Sequence, residues 1–496
     1  MWYIVLFCVL IVIAIISYFL FERDVLSITF ISSSVYALST LAAYISYKLE
    51  DSWNYVELDK NTAVYVIISI VCVAIGEFVV RLIQRKTKRK NKEKNINSIE
   101  IIKVSNIKIL ICTLFIALSF ILIYTNMCKI THTTGFSKVI NAYKVNSAMY
   151  NDSEDTANIN FLYIQMYRVS TVIGIIFLYI YINNMCFNKK LKYNFRFIIP
   201  IIASCILSML LGGRSAIMRF IVASIIFSII IYEKKKKINL IKFLIIGILL
   251  LSAILPLFYS LLSIIGQSTK NSFANYMTFY LGSPLTCFNE YLENSNQQKV
   301  EQKHFGENTF IGIQQILYKF HIINYYNIYQ DEWVDFGNGL KSNVFTGIKT
   351  YLEDFGIMGV ILFQTLFAIV FSYLYLKARN GNYKFLIFYG LIALNVIDQF
   401  RSEKIFSSLI RIDTIVYIVS IIFLTWFLFN LRIERKVKNI ILLSMQKVLA
   451  IQQAWQRELK LQQELRQELQ YLDICKEVEA QHVKIEYMHQ SWELMQ

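Results

Sequence analysis

Charge is scarce in this sequence. Of 496 residues, 17% are Asp, Glu, Lys or Arg, where a soluble domain carries about 25%. Proline is nearly missing: Pro200, Pro256 and Pro284 are the 3 in the chain. With so few breakers and no internal repeat, the broken, duplicated helices of many transporters are not indicated. Eight cysteines are scattered with no Cys-x-x-Cys, which speaks against a zinc or redox motif. Cys128 and Cys287 are the one pair placed outside the membrane, where a disulfide is open to them. No Asp-x-Asp lies in an outward loop, so a metal-independent chemistry with no cofactor is expected. The first apolar run, Trp2 to Leu20, lacks a charged leading region and a small-residue cleavage site. It therefore reads as a first span and not as a cleavable signal.

Apolar residues fill the space: 56% of the chain, with 15% aromatic, in long blocks. The chain is an integral membrane protein, and a soluble enzyme, a nucleic-acid binder and a disordered protein are excluded. The formal charge of +16 reflects lysine and arginine beside spans.

About 20 mainly apolar residues make a membrane helix. Reading along the chain gives about eleven, near 2–21, 25–47, 62–80, 107–126, 161–184, 197–212, 217–232, 240–262, 354–376, 385–400 and 412–430. Five basic clusters fix the orientation: Arg81 to Lys94, Lys189 to Lys192, Lys234 to Lys237, Lys377 to Lys384, and Arg432 to Lys438. Eleven spans put all five on one side, taken as the cytoplasm. The N-terminus is then outside and the C-terminus of the membrane body inside. Long connections fall on the opposite face, the larger from about 263 to 353, with amphipathic helices expected on the outer surface. A connection this long is usually functional, so the chemistry should face outward.

The composition breaks near residue 438. From Gln446 onward there are 11 Gln and no Asn. Residues 438–496 read as a long cytoplasmic helical extension of the 1–437 body. It is either a native tail for self-association or an appended, engineered segment, and the abrupt break favours the second. His482 and His489 in it read as solvated surface.

Charges at membrane depth default to function. Arg168 lies well inside the segment beginning at Phe161; its bland reading is a buried pair or snorkelling. Leu211-Gly-Gly-Arg-Ser-Ala marks a tight outer turn between two spans, putting Arg214 and Arg219 at the outer surface. Asp398-Gln-Phe-Arg-Ser-Glu-Lys and Arg411-Ile-Asp add Arg401 and Arg411. These five arginines are the expected cations for phosphate oxygens, which the planar guanidinium fork suits. Glu353 and Asp354 sit where the next span begins, and the helix dipole explains at least one of them as a cap. The other is a candidate general base, with His321 and His304 as alternatives. Tyr325, Tyr326, Tyr329, Trp333 and Phe336 are candidates for stacking on sugar rings or anchoring at the interface.

At these residues the chain resembles the bacterial O-antigen and capsule repeat-unit polymerases of the Wzy type. Leu211-Gly-Gly-Arg-Ser-Ala after a span, Phe305-Gly-Glu-Asn-Thr-Phe, Ser342-Asn-Val-Phe-Thr-Gly and Tyr351-Leu-Glu-Asp-Phe-Gly-Ile-Met-Gly carry the resemblance, in that order, over roughly residues 100–430. The resemblance implies an all-α polytopic fold, GT-C-like as in the O-antigen ligases, in the bacterial inner membrane. It also implies a glycosyltransferase joining undecaprenyl-pyrophosphate-linked oligosaccharides on the outer face, with membrane lipid, a chain-length regulator and a flippase as partners. By the same match Arg214 is the first candidate to stabilise the leaving pyrophosphate. Asp354, Glu353 or His321 would accept the acceptor's proton. A lipid-linked-sugar flippase is the main rival, and a non-catalytic scaffold the third reading.

Overall fold

The computed structural model describes residues 1–48, 56–90, 101–149, 159–187, 194–233, 256, 259–260, 272–295, 305–324, 333–337 and 340–430. The expected span at 240–262, apart from three residues, and the tail after Asn430 lie outside the described residues. In chain order the elements are α1 (Trp2–Leu20), α2 (Ile28–Lys48), α3 (Lys60–Lys90), α4 (Asn106–Thr131), α5 (Phe136–Met149), α6 (Phe161–Phe187), α7 (Ile198–Glu233), α8 (Phe273–Ser295) and α9 (Ile311–Lys319). The two-residue strands β1 (Val334–Asp335) and β2 (Lys341–Ser342) follow, then α10 (Gly347–Arg379), α11 (Tyr383–Ile392), α12 (Leu394–Asp398) and α13 (Ile412–Thr425).

Among the described residues 8 helices are long and apolar enough to cross a membrane, and Phe195–Leu211 is a shorter apolar helix. Helices are the solution for such runs because each backbone polar group is paired within its own segment. The serines and threonines inside them follow suit: Thr40, Ser119, Thr171 and Thr425 donate to carbonyls one turn back. Small residues set the closest approaches. A side chain at Gly76 of α3 would collide with the α10 backbone at Thr365, and one at Gly282 of α8 with Ala43 of α2. The expected span at 385–400 is instead two short helices, α11 and α12.

Two elements double back. In α7, Ser204 and Phe220 both lie within 3 Å of the point where a Gly174 side chain would begin, at 2.5 and 2.8 Å. A straight helix would hold those residues about 24 Å apart. The chain therefore reverses between the apolar helices Phe195–Leu211 and Ser215–Glu233, which agrees with the turn read from Gly212-Gly213. In α10 the reversal is at Gly356, whose φ of 62° and ψ of −158° break the helix. Tyr351 stacks on Phe363 at 5.1 Å across it. Residues 347–355 are thus a short re-entrant helix, and 357–379 the spanning one.

The helix ends that lead into the basic clusters lie together at one end of this body. There Asp24, fully buried, receives Arg81 at 2.8 Å, Arg379 at 2.6 Å and the Tyr375 hydroxyl at 2.8 Å. Arg379 also reaches Glu233 at 3.2 Å. Arg196 bonds Asn106 at 2.6 Å, Asn184 bonds Ile102 at 2.9 Å, and Lys108 bonds the Leu428 carbonyl at 2.9 Å. Tyr383 packs on Phe429 at 5.6 Å. The ends of α3, α6, α7, α10 and α13 that lead into the five basic clusters are the ends held by these contacts, together with the end of α1. The N-terminus lies at the other end, where the Met1 ammonium meets Glu57 at 3.0 Å.

Candidate functional site

The loop end is built around the re-entrant helix. Its first N–H, from Gly347, donates to the Gln399 carbonyl at 3.1 Å. Gln399 also bonds the Ser32 hydroxyl, and its carbonyl accepts from the Tyr36 hydroxyl at 3.4 Å, both on α2 and both buried. These α2 residues are near its basic-end start, so the junction lies inside the bundle. Glu403 ties the other side. It accepts from the Tyr351 hydroxyl at 2.8 Å and from the N–H groups of Ile405, Phe406 and Ser407. Phe310, Phe355, Phe363 and Phe406 close an aromatic cluster above this.

Between these parts lies a cleft of about 360 Å³. One wall is the approach to the re-entrant helix, Asn343 to Thr346 with Thr350; the other is Asp398, Arg401, Ser402 and Lys404; Ser215, at the head of the second arm of α7, lines it too. The Arg401 guanidinium lies over the Tyr280 ring of α8, 4.3 Å from its centroid. Lys404 is half-buried. Burial lowers its pKa, and Arg401 and Arg219 push the same way against Asp398 and Glu403. Arg219 is close enough to Lys404 to add to this effect but is not part of the lining. No carboxylate is ion-paired to Arg219 among the described residues. The cleft thus holds two cations, Arg401 and Lys404, against one acid, Asp398, a place suited to an anion with several oxygens.

The expected site residues divide. Arg401 lines the cleft and Arg219 neighbours it. Arg214 immediately precedes Ser215 in the chain, and its side chain lies outside the described residues. Arg168 sits apart, paired with Asp413 at 2.5 Å and bonded to Gln165 at 2.9 Å; this is the buried structural pair that was its bland reading. Arg411 is exposed at the start of α13, reaching the Ser407 carbonyl at 3.4 Å. The five arginines therefore do not share one hollow.

The expected bases are placed away from the lining. Asp354 accepts the N–H groups of Asn308 and Thr309, at 3.1 and 2.5 Å. Glu353 is buried beside Lys349 at 3.7 Å, and Lys349 stands over the Phe345 ring at 4.4 Å. Both carboxylates close the re-entrant helix and do not open the span, because Gly356 separates them from it. The dipole argument thus does not hold for either; specific partners do the work. His321 is exposed with φ of 55° beyond α9. His304, Tyr325, Tyr326 and Tyr329 lie outside the described residues. Trp333 is exposed, whereas Phe336 is buried against Phe279 at 5.7 Å. Cys128 and Cys287 are not joined in a disulfide, and the Cys287 thiol donates to the Ser342 carbonyl at 3.8 Å.

Lys404 and Asp398 were not singled out in the sequence. Asp398, Arg401 and Lys404 recur at three-residue spacing, a signal that was present but overshadowed by arginine's affinity for phosphate. Among the described residues no group of three or more His, Cys, Asp or Glu is placed to hold a metal ion.

The family model described as O-antigen polysaccharide polymerase Wzy matches residues 2–335 of this chain. No curated protein and no solved structure matches it.

Proposed function

Because this chain belongs to the O-antigen polysaccharide polymerase Wzy family, we propose that it elongates lipid-linked glycans at the cleft of its loop end. The substrates are undecaprenyl-pyrophosphate-linked oligosaccharide repeat units, on the outer face of the bacterial inner membrane. One lipid carries the growing glycan as donor; another carries a repeat unit as acceptor. The basic end of the body faces the cytoplasm.

The observation that carries the reading is the pair Arg401 and Lys404 in the lining of one cleft, with Arg219 proposed as a further cation beside them. As the bond between the donor's anomeric carbon and the diphosphate oxygen breaks, negative charge develops on the diphosphate. Fixed cations in a partly dehydrated site stabilise that charge without reorganising. Arg401 is held over the Tyr280 ring, and the burial of Lys404 strengthens its attraction for an anion. Arg214, one residue before Ser215 of the lining, is proposed as a fourth cation. Arg168 and Arg411 are proposed to support the structure outside the cleft, the first through its pair with Asp413. Asp354, Glu353 and His321 serve in this reading by shaping the loop around the cleft. The depth of the junction at Gln399 leaves the cleft within reach of a headgroup whose prenyl chain stays in lipid.

The test uses protein reconstituted in vesicles and supplied with one lipid-linked repeat unit. A ladder of longer glycans is expected, and it should vanish in the Arg401→Ala, Arg219→Ala double variant. Translocation of the unit with no elongation would point to a flippase instead.

A further inference from the structure

Glycosyl transfer needs somewhere for the acceptor's proton to go, and the cleft contains one acid. Of the carboxylates at the loop end, Glu403 is occupied by one hydroxyl and three N–H groups. Asp354 is occupied by two N–H groups, and Glu353 faces buried Lys349. None of these three is in the lining. Asp398 is in it. Its nearest cation, Arg401, is 4.0 Å away, beyond hydrogen-bond range, and no described residue donates a hydrogen bond to its carboxylate. Its backbone carbonyl does the local capping, accepting from the Arg401 and Ser402 N–H groups at 2.9 and 3.3 Å. Among the described residues that leaves the side chain with one long ion pair and no donated hydrogen bond, in a solvent-reachable cleft.

We propose that Asp398 is the catalytic residue that accepts the proton of the acceptor sugar's hydroxyl. The inference rests on the polymerase reading above and assigns the second half of its chemistry. The acceptor oxygen forms a bond to the donor's anomeric carbon. The bond from that carbon to the diphosphate oxygen breaks, and its electron pair leaves with the prenyl diphosphate beside Arg401, Lys404 and Arg219. The hydroxyl proton moves to Asp398 and then to water or to the departing diphosphate. Atoms and charge balance without a further reactant. The spacing of the segment makes the division of labour local: Asp398 faces the incoming hydroxyl, and Arg401 and Lys404, three and six residues on, face the outgoing phosphate.

The test compares wild type with Asp398→Asn and Asp398→Glu in vesicles, measuring kcat and KM for the lipid-linked repeat unit. A positioned base contributes on the order of 100-fold or more. The Asn variant should lose about that much in kcat with KM within about threefold, and the Glu variant should recover to within about tenfold of wild type. Wild-type turnover in the Asn variant, or a loss confined to KM, overturns the proposal. If the Asn variant does not insert, the Glu variant is read alone: turnover within about tenfold supports the assignment and none overturns it. A wild-type protein that makes no ladder instead fails the polymerase reading and leaves a distinguishable result.

Discussion

Arg168 of α6 and Asp413 at the head of α13 meet at 2.5 Å, with side chains 13% and 25% exposed. The pair pins two helices together below the loop end. Breaking a largely buried pair leaves one charge stranded, at about 2–4 kcal/mol. Arg168→Met and Asp413→Leu should each lower thermal stability in detergent by that order. The double variant should lose less than the sum and retain elongation. A double variant that is stable but inactive would place Arg168 among the substrate contacts.

Arg401 offers a sharper contrast. Its guanidinium lies over the Tyr280 ring, a geometry that a lysine ammonium does not reproduce. Arg401→Lys should lower kcat/KM by about tenfold, and Arg401→Ala by about 100-fold, roughly 2.7 kcal/mol of transition-state stabilisation. Equal activity of the Lys variant and wild type would show that point charge alone suffices.

Lys404 sets stability against function. Its pKa is lowered by burial and by neighbouring Arg401 and Arg219, so the empty protein carries a charge that its surroundings disfavour. A lowered lysine pKa destabilises the fold while the group is charged, and the penalty fades as pH rises through the folded value. Lys404→Gln should therefore raise the melting temperature at neutral pH, by about 1 kcal/mol equivalent, while weakening binding of a prenyl diphosphate. Elongation by wild type should fall as pH rises toward the alkaline range, because the cation is lost earlier than from free lysine. Lys404→Arg should remove that limb.

Gly356 is the hinge of the re-entrant helix. Its φ of 62° with ψ of −158° suits glycine, and an added Cβ meets nothing within 4 Å. The loss in Gly356→Ala is therefore purely conformational, on the order of 1–3 kcal/mol. The variant should insert, melt earlier and elongate more slowly, since the hinge sets the depth of Thr346 and Gly347. An unchanged melting curve would argue against the left-handed hinge.

Most spans were legible because a run of about 20 apolar residues has few other fates. The turn at Gly212-Gly213 was legible for a related reason: two glycines split an apolar stretch too long for one crossing. The re-entrant helix was not, because Gly347 to Phe355 reads as the first turns of the span it precedes, and only the positive φ at Gly356 separates them. The short α11 and α12 were read as one span because hydropathy does not report depth. At the proposed site, arginine's preference for phosphate pointed to Arg401, which lines the cleft. It pointed also to Arg168, whose partner Asp413 is 245 residues away in the chain. Asp354 and Glu353 looked free because their partners, the Asn308 and Thr309 N–H groups and Lys349, become neighbours through folding of the loop or through a helical turn. Asp398 was inconspicuous for the opposite reason: its distinction is that no described residue donates a hydrogen bond to its carboxylate.

The most direct measurement is a cryo-EM map of the protein bound to undecaprenyl pyrophosphate. Density for the diphosphate should lie within hydrogen-bond reach of Arg401 and Lys404, with the prenyl chain leaving toward lipid. Diphosphate density at the opposite end, around Arg81 and Arg379, with the cleft filled by water, would contradict the account.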